Sequence, residues 1–234
     1  MEFKFVKAKG SFSLFKKRKG QIGARLTVFT IGLLIMSLGV VLLIRSNAGA
    51  TPWDVFHVGL YYQIGLTVGS WSILVGVVIL TAAAIIAKEI PHIGAFLNML
   101  LIGVFIDMYM LMPFIKEPSS HFGEAAMFAL GIIVYACGMG VYISAGLGTG
   151  PRDSLMAAVY EKTGWKIRNV RGSMEVIVLL IGWWLGGPVN WGTILFSFMI
   201  GPIFGAVMPQ CNRLTDVILE KVKRKNELNI SKGA

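Results

Sequence analysis

The stretch that decides the fold is Gly146-Leu-Gly-Thr-Gly-Pro-Arg-Asp153, which we name motif 2. An earlier copy, Asn47-Ala-Gly-Ala-Thr-Pro-Trp-Asp54, is motif 1. The copies are 99 residues apart, and the same offset aligns residues on both sides of each motif. The matched pairs are Gly32 with Gly131, Gly39 with Gly138, Gly49 with Gly148, Pro52 with Pro151, Asp54 with Asp153, Tyr61 with Tyr160 and Gly65 with Gly164. This internal repeat indicates two homologous halves, residues 25–115 and 123–212.

The composition is that of a membrane protein. Hydrophobic residues make up 55% of the 234 positions and charged residues only 15%, whereas soluble domains carry about 25% charged residues. Six membrane spans need about 120 apolar positions, which the hydrophobic content provides. A soluble catalytic domain, a disordered chain and a coiled coil are excluded by the same numbers.

The apolar runs in each half predict one membrane span, then the motif, then two further spans. An odd number of spans per half makes the second half enter the membrane from the opposite side, as in many secondary transporters. We therefore predict an all-α integral membrane protein with six transmembrane helices in two inverted three-helix repeats. Each repeat carries a short re-entrant or interfacial helix that begins at Pro52 or Pro151. The predicted spans are 27–45, 68–87, 93–114, 124–144, 169–187 and 190–211.

Basic residues concentrate at the two ends of the chain. Eight Lys and Arg residues precede the first apolar run and six follow the last, and such residues favour the cytoplasmic side. The basic tails 1–24 and 213–234 are thus expected in the cytoplasm, with the protein in the cell membrane. Anionic lipid headgroups suit these tails, and no nucleic acid is expected.

A parallel arrangement of four plus four spans, with the motif helices crossing the membrane, is the alternative. Charge hardly separates the two arrangements, but length does. Residues 52–63 span about 18 Å as a helix, against a hydrocarbon core of about 30 Å. The six-span arrangement is therefore favoured.

The motifs have the pattern of helix N-termini, for which two interpretations stay open. Proline is favoured at the first helical position, and Thr51 with Asp54 has capping-box spacing that Gly150 with Asp153 repeats. The acids can thus be caps. Alternatively, glycines before an exposed helix start form an anion site. On the second interpretation, the residues that contact the solute are Arg45, Asn47, Thr51, Asp54, His57, Thr149, Arg152 and Asp153.

Three further features bear on chemistry. Asp54 and His57 share a helix face. They are either a pair that handles protons or part of a polar face at the membrane interface. Asp107 and Glu175 lie within spans, where charges are costly, and are candidates for ion or proton coupling, although Glu175 can also pair with Arg171. No metal-ligand or catalytic cluster is visible, so we expect no metal, cofactor or enzymatic activity.

The Gly-x-Gly-Thr-Gly-Pro-x-Asp segment, its degenerate copy at 47–54, and the spacing to Tyr160-x-x-x-Gly164 resemble the YczE/YyaS/YitT group of small bacterial membrane proteins. The resemblance covers nearly the whole chain. It implies a multi-pass protein of the cytoplasmic membrane with a duplicated architecture. It carries over no catalytic residue.

These patterns favour a transporter or exporter of a small anionic or zwitterionic solute. The alternative is a non-transporting accessory protein that scaffolds a cytoplasmic partner or lipid through its basic tails. An intramembrane enzyme is a third class, for which the chain offers little beyond Asp54 and His57. The expected partners are membrane lipids and the solute, with a homo-oligomer or a cytoplasmic partner left open.

Overall fold

The computed structural model of the protein describes Arg18 and residues 20–233, with side chains as far as Arg224. The rest of the basic N-terminal tail, residues 1–17 and 19, lies outside the described residues. Throughout the described part, regular secondary structure is α-helical, which confirms the predicted all-α class. The helices are α1 (Ile22–Arg45), α2 (Pro52–Ile64), α3 (Val68–Ala87), α4 (Ile93–Met110), α5 (His121–Ser144), α6 (Pro151–Thr163), α7 (Ile167–Trp184) and α8 (Trp191–Gly233).

Within the described part of the chain, five helices are long and apolar enough to cross a membrane: α1, α3, α4, α5 and α8 as far as Arg224. The predicted fifth span, residues 169–187, falls largely on α7, which is not among them because its first half carries Arg168, Arg171 and Glu175. The second half of α7 is apolar, and Ile177 and Leu180 are exposed on its surface. Helices α2 and α6 have 13 residues each, about 20 Å of helix, which is too short to cross.

Helices α1 and α5 pack against each other in antiparallel directions. A Cβ atom at Gly32 would lie 2.3 Å from the backbone nitrogen of Tyr142, and one at Gly138 would lie 2.2 Å from that of Met36. Glycine is therefore required where the two backbones approach this closely. The contacts are reciprocal under the 99-residue offset: Gly32 faces Tyr142 and Gly131 faces Leu43, while Gly39 faces Tyr135 and Gly138 faces Met36.

Each motif helix packs on a long helix of the other half. Helix α2 packs on α7, and α6 packs on α3. The segments that precede the motif helices are held in the same crossed manner. The Gly192 N–H donates to the Ala48 carbonyl at 2.8 Å, and a Cβ at Gly94 would lie 2.2 Å from the Leu147 carbonyl oxygen. The halves are thus interlocked around the two motifs.

The two halves differ where the last two long helices of each should meet. Helix α3 packs against α4, and a Cβ at Gly103 would lie 2.4 Å from the Ile73 side chain. Between α7 and α8 the described residues show no comparable packing. A Cβ at Gly172 or at Gly201, which corresponds to Gly103 at an offset of 98, would have nothing within 4 Å. We name this opening the α7–α8 gap.

Helix α8 continues to Gly233, through the predicted boundary between the second repeat and the basic tail. The Lys, Arg, Glu and Leu residues of this segment favour helix, so it does not end at the predicted boundary. Two arginines tie the start of the chain to the end of α5 and to α8. The Arg25 Nε donates to the Ala145 carbonyl at 2.8 Å, and Arg18 forms an ion pair with Asp216 of α8.

Candidate functional site

The two motif helices begin at one cavity of about 160 Å³, which we name the central cavity. Its wall includes residues 51–54 at the start of α2 and residues 150–153 at the start of α6. The helices begin at Pro52 and Pro151, which confirms the predicted helix starts. A helix N-terminus carries partial positive charge and unpaired N–H groups. Two such ends at one cavity favour a ligand that has an anionic group.

Thr51 caps α2 through a two-way contact with Asp54. Its hydroxyl donates to Asp54 Oδ2 at 2.6 Å, and its Oγ1 accepts from the Asp54 backbone N–H at 3.2 Å. The predicted threonine cap is therefore present, although the carboxylate bonds the hydroxyl rather than the Thr51 backbone. His57 Nδ1 lies 3.6 Å from Asp54 Oδ1, and both side chains are buried in the protein. The Asp54 and His57 side chains are thus brought together in the cavity wall.

Arg152 and Asp153 bring adjacent opposite charges to the cavity. Along the described chain, neither has an ion-pair partner within 4.0 Å. The Arg152 guanidinium carbon instead lies 4.6 Å from the centroid of the Trp53 ring. This cation–π contact positions the arginine, which has no carboxylate within ion-pair distance among the described residues. Gly150 supplies no side-chain cap to α6.

Asn98 of α4 is a cavity residue that the sequence analysis does not single out. Its side chain is 97% buried, since its relative exposure is 3%, and its Nδ2 has no hydrogen-bond partner. Its Oδ1 lies 2.7 Å from the position of a Cβ at Gly150, so Asn98 packs on the start of α6. The available signal was a polar amide inside a predicted membrane span. Trp53 was also missed, and its signal was its equivalence to Arg152 in the repeat.

The two coupling candidates lie in different places. Glu175 is in the cavity wall and accepts a hydrogen bond at 3.0 Å from Arg171, one turn earlier. Asp107 lies outside that wall and caps the start of α3. Its Oδ1 accepts from the Gly69 N–H at 2.8 Å, and its Oδ2 accepts from the Thr67 hydroxyl at 2.5 Å. Asp107 therefore links α4 to α3.

Three of the predicted solute contacts are outside the cavity wall. Arg45 pairs with Glu117 at 3.1 Å. The Asn47 carbonyl accepts from Asn190 Nδ2 at 2.7 Å. Thr149 precedes the cavity-lining part of motif 2. The structure thus brings Thr51, Asp54, His57, Arg152 and Asp153 to one cavity and leaves Arg45, Asn47 and Thr149 beside it.

In the described segments, no three His, Cys, Asp or Glu side chains are close enough to hold a metal ion together. Both cysteines are free thiols. Cys211 of α8 packs against α5, with its Sγ 3.9 Å from the Cys137 carbonyl oxygen.

Comparison with known proteins gives one family and several relatives. Residues 23–209 match the model described as "Family of unknown function (DUF6198)". The uncharacterized membrane protein YczE of Bacillus subtilis (strain 168) is 44% identical over 197 residues, which cover 84% of this chain and 91% of YczE. YyaS of the same organism is 29% identical over 79% of this chain and 92% of its own. An uncharacterized protein of Haemophilus influenzae is also 29% identical, over 84% of this chain and 88% of its own. No solved structure matches. The resemblance to the YczE/YyaS group is confirmed.

Proposed function

The chain belongs to the DUF6198 family of multi-pass membrane proteins, and from this premise we propose that it transports or exports a small anionic or zwitterionic solute. The observation that carries the proposal is the meeting of the two motif helices at one cavity. Each is a half-length helix whose N-terminus lies at the central cavity, and each comes from a different half of the chain. Discontinuous helices with this arrangement form the substrate sites of many secondary transporters.

The proposed topology has six spans in two inverted repeats, with both termini cytoplasmic. The antiparallel contact of α1 with α5 supports opposite directions for the two halves, and the reciprocal glycine contacts support their equivalence. We count α7 as a span as well, which brings the total to six, because it follows α6 as α3 follows α2. Its charged residues Arg171 and Glu175 line the cavity and pair with each other, which lowers the cost of placing them in a membrane.

Topology is tested with cysteines at Tyr62 and Glu161. These two exposed residues hold the same place in the two halves. In a background with Cys137 and Cys211 replaced by alanine, a membrane-impermeant maleimide should label Tyr62→Cys from outside and Glu161→Cys only after the membrane is opened. Labelling of both from the same side would contradict the inverted arrangement.

Transport is tested with the purified protein in liposomes. We expect uptake of radiolabelled L-alanine or isobutyrate above that of empty liposomes. Met139→Trp, which fills the cavity from α5, should lower this uptake at least tenfold. Met108→Trp on the exposed side of α4 is the matched control and should leave it unchanged. No uptake of either solute would overturn the proposal.

The accessory function is tested in the full-length chain by changing Lys4, Lys7, Lys9, Lys16 and Lys17 to Gln. If the protein is a transporter, uptake should stay within twofold of the wild-type value. Normal uptake combined with a lost cellular phenotype would indicate a separate scaffolding role for the tail.

A further inference from the structure

We propose that the solute is a small zwitterion of the amino-acid type, an inference that rests on the proposed transport function. The central cavity has a volume of about 160 Å³. An engineered protein cavity of about 150 Å³ accepts benzene. The central cavity therefore suits a solute of about six non-hydrogen atoms, which is the size of alanine.

The charges of the wall distinguish a zwitterion from a simple anion. Arg171 and Glu175 form an ion pair at 3.0 Å, whereas the Asp54 carboxylate accepts a hydrogen bond from the Thr51 hydroxyl and lies 3.6 Å from His57. Arg152 and Asp153 remain, without ion-pair partners among the described side chains. Both side chains are half-buried, and a partly desolvated charge without a partner is costly. An anion alone would add a second negative charge beside Asp153, and a cation alone would add a second positive charge beside Arg152, whereas a zwitterion places an opposite charge at each.

Asn98 provides an independent observation for the carboxylate end. Its buried Nδ2 amide group donates to no acceptor in the protein, whereas buried donors normally have a hydrogen-bond partner. Because Asn98 packs on Gly150 at the start of α6, a carboxylate there would contact the amide, the helix N-terminus and the Arg152 guanidinium. The ammonium group would face Asp153. The apolar remainder of the solute would meet Met99, Met139, Phe196 and Ile200, which line the same cavity.

The experiment compares three ligands of similar shape on the purified full chain by calorimetry. L-Alanine is the zwitterion, isobutyrate replaces its ammonium with a methyl group, and sec-butylamine lacks the carboxylate. We expect L-alanine to bind at least tenfold more tightly than either of the others. Isobutyrate binding equal to that of L-alanine would overturn the zwitterion and leave anion transport standing. Binding of none of the three, with no uptake, would overturn both proposals.

Two substitutions assign the ends of the ligand. Asp153→Asn retains a side chain that can cap and should lower L-alanine affinity at least tenfold while leaving isobutyrate affinity equal or higher. Arg152→Gln should lower the affinity for L-alanine and isobutyrate but not for sec-butylamine. Unliganded melting temperature serves as the folding control. An equal loss of affinity for all three ligands in both variants would contradict the assigned roles.

A second inference rests on the difference between the halves. The geometry points to two gates: a closed outer gate, formed by α3 and α4, and an open inner gate, the α7–α8 gap. At the outer gate, Asp107 accepts hydrogen bonds from Thr67 and Gly69. The equivalent residue at offset 98 is Gly205, where a Cβ atom would have no neighbour within 4 Å. Residues of both α7 and α8 line the cavity, so the gap lies next to it.

Solute exchange then requires the two gates to alternate. As α7 closes on α8, α3 separates from α4, which gives the cavity access to the other side of the membrane. A central site between inverted repeats is exposed alternately in this way. The closed α3–α4 contact represents the packing that α7 and α8 would adopt.

Gly201→Leu tests the inner gate. The leucine meets open space in the present state but would prevent α7 from closing on α8. We expect the variant to fold, to bind L-alanine normally, and to lose at least tenfold in uptake. The matched control is Ala206→Leu, since its repeat equivalent, Met108, is exposed rather than packed on α3. Wild-type uptake by Gly201→Leu would overturn the gate.

Accessibility provides a second measurement. In a background with Cys137 and Cys211 replaced by alanine, Gly201→Cys should react with a water-soluble maleimide in the resting protein. Addition of L-alanine, which allows exchange, should slow the reaction at position 201. No reaction at position 201 with or without L-alanine would contradict an open inner gate.

Discussion

Trp53 and Arg152 contact each other although they occupy the same position in the two halves. Each follows the proline of its motif, 99 residues apart, and the guanidinium carbon lies 4.6 Å from the indole centroid. Contact between equivalent positions is expected where a two-fold axis relates two repeats. The stacked pair therefore lies at the centre of the proposed site and orients the arginine within it.

Loss of the Trp53 ring should weaken solute binding through Arg152. A cation–π contact contributes about 0.5–2 kcal/mol, and 1.4 kcal/mol is about tenfold in affinity. We expect Trp53→Leu to lower L-alanine affinity about three- to tenfold in calorimetry and Trp53→Phe to retain most of it. In an Arg152→Gln background, Trp53→Leu should have no further effect. Additive losses would show that the tryptophan acts independently of the arginine.

Thr51→Val should destabilise the protein because it removes both bonds between Thr51 and Asp54. Loss of an N-cap costs about 1 kcal/mol, which lowers the melting temperature by about 2–4 °C for a chain of this size. Differential scanning fluorimetry in detergent measures this. Thr149→Val, outside the cavity wall, is the matched control and should melt like the wild type. Identical melting of both variants would exclude a stabilising cap.

Gly138→Ala should disrupt the contact between α1 and α5. The added methyl group would lie 2.2 Å from the Met36 backbone nitrogen, so the helices must move apart, at a cost of about 1–3 kcal/mol or more. Gly23→Ala in α1 meets nothing within 4 Å and serves as the control. We expect the monodisperse fraction in size-exclusion chromatography to fall for the first variant alone. Equal fractions would contradict the tight contact.

Asp107→Asn distinguishes a capping role of Asp107 from a role in proton coupling. The asparagine keeps an oxygen that can accept the Gly69 N–H, so the contact between α3 and α4 should survive, while the charge is lost. We expect uptake within twofold of wild type and the same pH profile. A flattened pH profile would instead assign Asp107 to proton coupling.

The sequence was sufficient to locate the helix starts and the repeated glycines. Proline marks a helix start wherever it occurs, so α2 and α6 could be placed from Pro52 and Pro151. The repeat likewise pairs Gly32 with Gly131 and Gly39 with Gly138, the glycines at which α1 and α5 meet. These features depend on local geometry and on spacing, both of which are visible in one dimension.

Contacts between side chains that are distant in sequence could not be predicted in this way. Asp107 lies at a depth typical of a coupling residue, but its helix face meets the start of α3, 38 residues earlier. Arg45 is next to motif 1 in sequence, yet Glu117, 72 residues away, binds its side chain. Asn98 is inconspicuous until α6 is placed against it. Which face of a helix meets which neighbour is decided by packing, and apolar helices carry little pattern to predict it.

The contact of Trp53 with Arg152 also bears on why both halves belong to one polypeptide. A homodimer of a single three-span protein would carry identical residues at these two places, and two arginines there would repel each other. A fused chain lets one copy keep the cation and the other provide an aromatic ring for it. Covalent linkage of the halves therefore allows equivalent positions at the centre of the molecule to carry different residues with different roles. A strictly symmetric dimer cannot do this.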